Sequence, residues 1–133
     1  MTIQLSTLGR NARLDAIEVE AGTDAVLAIY TGAQPANCAA ADSGTELARM
    51  TLPSDWMAAA ASGAKAKAGT WSDAAANGTG TAAHFRVYKS NGTTCVIQGS
   101  VGLGSGDLSL DNTSIATGQV VTITAFTLTD GNA

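Results

Sequence analysis

Few side chains in this chain are of types that do chemistry, and their spacing points to no reaction. His84 is the only histidine. A lone imidazole on a strand is far more often a hydrogen-bonded structural residue than a base, and no second imidazole exists to share a metal. Serine, histidine and aspartate all occur, but no nucleophile-elbow motif positions them. The eleven acidic residues are scattered. Asp107 and Asp111 flank a short apolar pair and Asp130 follows the last strand-like run, without the regular ligand series of a calcium loop. Gly102-Leu103-Gly104-Ser105-Gly106 lacks the Lys-Ser/Thr end and following helix of a phosphate loop. Cys38 and Cys95 are too few for a disulfide framework or a zinc site. They read as two small, partly buried thiols, with a single bridge closing a long loop as the alternative. Trp56, Trp71 and Tyr88 have the ring faces of a sugar platform, but the preferred reading makes them the scarce large volume of the core or of a subunit contact. No catalytic residue, metal or cofactor is expected, and the chain reads as a non-enzyme.

The totals bound the elements that could position these groups. A length of 133 residues suits one domain. Alanine (26), threonine (17) and glycine (15) dominate, while charged residues are 14% and aromatics 5%. Such a chain buries little area per side chain, at about 25 cal/mol per Å². Support from neighbouring subunits is therefore expected. A net charge of −4 and a pI near 4.6 argue against nucleic acid and against an anionic membrane surface. No apolar run approaches a membrane span, and the opening Met1-Thr2-Ile3-Gln4-Leu5 has no basic flank or signal-type apolar core. The protein is expected to stay in the cytoplasm of its producer until release.

The periodicity predicts a mainly β fold: a single antiparallel β-sandwich, jelly-roll or Ig-like, with an N-terminal helix and one short internal helix. Residues 1–23 are assigned to an N-terminal arm and helix, and residues 24–133 to the sandwich. In the helix, predicted over residues 6–20 with Gly22 as its stop, Leu8, Leu14 and Ile17 form a partial apolar stripe. Its basic residues come first and its acidic ones last, against the helix dipole. The helix should therefore need a partner surface, and Leu8, Leu14 and Ile17 are the candidate subunit contact.

Residues 24–31 and 46–52 read as strands around a long loop, and residues 54–61 as the internal helix. Residues 65–72 read as an edge strand guarded by Lys65 and Lys67. Asn91-Gly92 between residues 82–89 and 94–101 predicts a hairpin. A two-residue turn would pair Val87 with Val96, and a bulged three-residue turn would pair it with Ile97. The closing strand, residues 120–129, changes face near Ala125-Phe126, which calls for a bulge or for burial on both sides.

Residues 11–18, residues 35–38 running into 52–57, residues 80–88 and residues 111–133 resemble small virion-associated proteins of tailed bacteriophages. The resemblance implies a structural particle component and assigns no functional residues. Within it, a capsid decoration (cement) protein is the favoured expectation, with a neck, collar or tail component as alternative. The implied partners are other virion proteins and further copies of this chain, and the implied location is the virion. Release of such a particle from the reducing cytoplasm would favour the Cys38–Cys95 bridge. A carbohydrate- or receptor-binding module built on Trp56, Trp71 and Tyr88 is the reading from another class.

Overall fold

The computed structural model describes residues 3–130, so the first residues of the arm assigned within 1–23 and the last of the sandwich assigned to 24–133 lie outside the described residues. Helix α1 (Thr7–Ala21) begins where the Ser6 hydroxyl accepts the Gly9 N–H. It ends at Gly22, whose φ of 79° lets its N–H turn back to the Glu18 carbonyl. Ten strands follow among the described residues: β1 (Val26–Tyr30), β2 (Glu46–Thr51), β3 (Ala64–Ala66), β4 (Ser72–Asp73), β5 (Gly80–Thr81), β6 (His84–Tyr88), β7 (Cys95–Leu103), β8 (Leu108–Leu110), β9 (Ser114–Ile115) and β10 (Val121–Thr129).

The main sheet runs β2-β1-β6-β7-β8-β10-β3, with β4 also on β10, and β5 pairs with β9 in a small second sheet. Its ends meet. The Arg49 N–H of β2 donates to Asp73 of β4, and the Asn77 N–H donates to the Leu47 carbonyl. The sheet therefore rolls around one core. The mainly β class and the N-terminal helix are as expected. The sheet is mixed rather than wholly antiparallel, because β7 and β8 run parallel.

Inside the roll, Trp71 contacts both Trp56 and Phe126, and Phe126 meets Phe85 edge-on at 5.5 Å. Four rings thus supply bulk that the alanines cannot. Leu27, Ile29, Val87, Leu108 and Ile123 fill the space around them. The face change in β10 is a bulge. Its register against β8 shifts between Ile123 and Ala125, so Val121 and Ile123 point inward before it and Phe126 after it.

The expected internal helix is absent. Its amides are claimed from outside the segment: Met57 by Glu18, Ala60 by Asp15, Ala58 by the Ala66 carbonyl and Ala61 by that of Ala64. A short helix carries a nucleation cost that alanine propensity cannot offset against three long-range hydrogen bonds and the tight turn from Ala61 to Ala64. The lysine-guarded edge also needs correction. β3 does lie at an end of the sheet, but Lys65 is 2% exposed and points to α1. Its Nζ lies 2.6 Å from Asp15 and 2.8 Å from Glu18 and donates to the Ala58 carbonyl. Lys67 is the outer lysine of the pair, donating to the Gly69 carbonyl.

The same network explains the inverted charge order of α1. Arg13 meets the Asp130 carboxylate at 3.1 Å and Arg10 the Asp130 carbonyl, while Glu20 meets Lys89 at 2.8 Å. Tertiary ion pairs replace the missing dipole complement.

The hairpin register is Val87 opposite Ile97, with a bulge before Tyr88 and Cys95. Gly92 is at φ 73°, whereas Asn91 keeps a negative φ, so the turn is the bulged kind rather than type I′. A Cβ on Gly92 would sit 2.8 Å from Arg49 Nη2. Gly92→Val is therefore expected to lower stability by about 1–3 kcal/mol, read as a fall in denaturation midpoint. An unchanged midpoint would mean that this turn carries no strain.

A second expectation concerns the anchor of α1. Burial works against the charge on Lys65, but Asp15 and Glu18 outweigh it and hold its pKa above the ordinary lysine value. Asp15 is held below its ordinary value, first by Lys65 and then by the Ala60 N–H. A raised lysine stabilises below its unfolded pKa and loses that contribution as pH rises through the folded value. A depressed carboxylate stabilises above its unfolded pKa and loses it as pH falls through the folded value. Docking of α1 should thus hold from roughly pH 4 to pH 10 and loosen on either side. Trp56, whose indole donates to the Gly22 carbonyl at the helix end, reports it by its emission. Lys65→Met should cost on the order of 2 kcal/mol, between exposed and buried ion-pair values. Wild-type stability in that variant would exclude Lys65 as the anchor.

Candidate functional site

The three apolar residues singled out on α1 do not share one surface. Leu14 is 3% exposed and buried against its own chain. Ile17 borders an apolar groove of about 490 Å³ between α1 and the sheet, walled by Ala16, Val96, Ile97 and Leu128. Leu8 is 81% exposed. Its neighbour on the outer face is Val19, 79% exposed, with Ala12 and Ala16 also exposed between them. Sequence reasoning passed over Val19. The signal was present, because steps of 4, 4 and 3 from Leu8 through Ala12 and Ala16 reach Val19 along one helix face.

The outer face of β1 and β6 is covered by residues 32–45, a strap that leaves β1 and returns into β2. Cys38 in the strap is joined to Cys95 at the start of β7 by a disulfide, with Cα atoms 5.3 Å apart. Under the strap, Arg86 is 2% exposed and spends its guanidinium on the Asn37 and Ala40 carbonyls, Asp42 and Gln98. Tyr88 donates its single proton to Asp42 at 2.6 Å, so Tyr30, 2.6 Å away, donates to Tyr88. Burial raises the Asp42 pKa, but Tyr88 and Arg86 outweigh it and hold the carboxyl below its ordinary value. Both tyrosines are pushed up, chiefly by burial. Charged and hydroxyl groups thus pin the strap from below, and the disulfide pins it from the side.

His84 belongs to the same face, at 1% exposure and stacked on Tyr30. Its Nδ1 lies 2.9 Å from the Gly32 carbonyl, which can only accept, so Nδ1 carries the hydrogen. Its Nε2 is buried without a partner. This geometry orients the strap entrance and presents no nitrogen to solvent.

Trp56, Trp71 and Tyr88 are all at most 1% exposed. They offer no ring face to a sugar, so the platform reading loses its residues. The acids expected around β8 do not converge either. Asp107 accepts from the Ser100 N–H and hydroxyl, Asp111 from the Thr122 N–H, and Asp130 pairs with Arg13. Among the described residues no group of three His, Cys, Asp or Glu is placed to hold a metal ion, and no helix is long and apolar enough to cross a membrane. What the molecule offers a partner is surface: the outer face of α1 and the groove beside it.

The disulfide spans a sequence separation of 57 residues and crosses β6 to reach β7. Cys38→Ser should lower stability by about 2–4 kcal/mol, with chemical denaturation under oxidising and reducing conditions as the measurement. Wild-type protein should fall to the level of the variant on reduction. Equal stability in both conditions would show that the Arg86 network alone holds the strap.

No protein-family model matches this chain, and no curated protein and no solved structure matches it.

Proposed function

We propose that this chain is a non-enzymatic structural protein of a tailed-bacteriophage particle, acting as a capsid decoration subunit. The observation that carries the proposal is the outer face of α1. Leu8 and Val19 are 81% and 79% exposed on a helix that four ion pairs anchor to the rest of its own chain. A rigidly held helix that keeps large apolar side chains in water is built to meet another surface. The resemblance of residues 11–18, 80–88 and 111–133 to virion proteins gives that surface its context, namely other virion proteins and copies of this chain. The strap and its disulfide suit a particle that persists after leaving a reducing compartment. The neck, collar or tail is the second location within the same reading.

Antibody-gold labelling of particles from a producing culture tests this. Label spread over the head, at hundreds of copies per particle, is the expected result. A ring of six or twelve copies at the neck or tail would move the protein there. Particles without label would overturn the proposal.

A further inference from the structure

We propose that two copies of this chain associate through their α1 helices, packed antiparallel about a twofold axis that passes by Ala16. The inference goes beyond the particle reading, because it fixes a self-contact and its geometry in solution.

The outer face of α1 has a specific order. At 100° per residue, Leu8, Val19, Ala12 and Ala16 fall within one arc, opposite the arc that holds buried Leu14 and Ala21. Arg13 and Glu20 lie together along one flank of that arc. Both remain open to water despite their internal partners, with side chains 60% and 68% exposed.

That flank is self-complementary in only one direction. In a parallel pair about a twofold axis, the flank of one copy would lie on the side of the interface away from the flank of the other, and neither charge would meet a partner. In an antiparallel pair centred on Ala16, Arg13 of each copy faces Glu20 of the other. The twofold axis makes each contact occur twice. The charge order that opposes the helix dipole within one chain is thus the order that an antiparallel partner complements.

The apolar positions agree with the same centre. Ala16 meets its own symmetry mate, and its small side chain allows close approach. Ala12 lies opposite Val19. Leu8 then reaches the far end of the partner helix, where Val19, Gly22, Thr23 and Ser54, with Glu18 and Asp55 at its edge, line a hollow of about 410 Å³. Each copy has one protruding leucine and one hollow, separated along the helix by the distance the symmetry requires.

The experiment uses the full chain. Sedimentation and light scattering at tens of micromolar should give a dimer. Leu8→Asp should give a monomer that still unfolds in one cooperative transition, since Leu8 is 81% exposed in the single chain. Ala16→Cys should cross-link into a dimer on mild oxidation, while Ala12→Cys should not. In the proposed register the two residue-12 positions are about 12 Å apart along the axis, beyond disulfide reach. Arg13→Glu and Glu20→Arg should each weaken association about tenfold, and the two together should restore it. The double variant turns both internal pairs, with Asp130 and with Lys89, into like-charge contacts, so recovery of association reports only the contact between copies. A wild-type monomer, or cross-linking at residue 12 instead of residue 16, overturns the proposal. Either result is independent of where gold label falls on a particle.

Discussion

The ammonium group of Lys65 is the constraint on which the rest of the structure depends. It lies under α1 at 2% exposure, and a charge so placed is tolerated only if paired and fully hydrogen-bonded. Asp15, Glu18 and the Ala58 carbonyl supply three acceptors for its three protons. Satisfying it fixes the rotation of α1 and draws residues 57–60 into an extended path, because the same two carboxylates also accept the Met57 and Ala60 amides. One buried cation therefore sets the angle of the helix, removes a competing helix and leaves Leu8 and Val19 outside.

Polar cross-connections recur wherever the small side chains leave the core thin. Arg86 does for the strap what Lys65 does for the helix: a buried cation gathers carbonyls and a carboxylate from a segment with few apolar contacts of its own. The four aromatic rings fill the centre, and the two cations hold the outer layers to it. Such networks are directional, so they specify one arrangement where alanine packing alone would accept several.

The parts of the fold that depend on local pattern were legible in the sequence. Gly22 marked the end of the helix, Asn91-Gly92 marked the hairpin, and the face change near Ala125-Phe126 pointed to the bulge in β10. What was hidden depends on residues far apart in the chain. Nothing near Lys65 shows that Asp15, fifty residues earlier, will neutralise it. An isolated lysine between alanines reads as solvent-facing, and Ala58 to Ala61 read as helix, until the helix carboxylates are placed beside them. The parallel β7–β8 pair was illegible for a related reason. Its connection is far shorter than a parallel crossover usually needs, and Gly104 and Gly106, both at positive φ, let the chain double back within it. On the candidate surface, Leu8 was identified because it is large, whereas Val19 and the alanines gain meaning only once the buried side of the helix is known.

The link from Arg10 and Arg13 to Asp130 gives the domain a mechanical property. It joins the first turns of the first element to the residue that follows the last strand, 120 positions along the chain. A force applied across these two ends would pass through that short bridge and bypass the rolled sheet, whose strands would bear no tension until the bridge parted. Asp130 also pairs through its N–H with Gly63 beside β3, so the bridge is braced against the edge of the sheet. Peeling the chain from either end would therefore have to break the contacts at Asp130 before it reached the strands of the core.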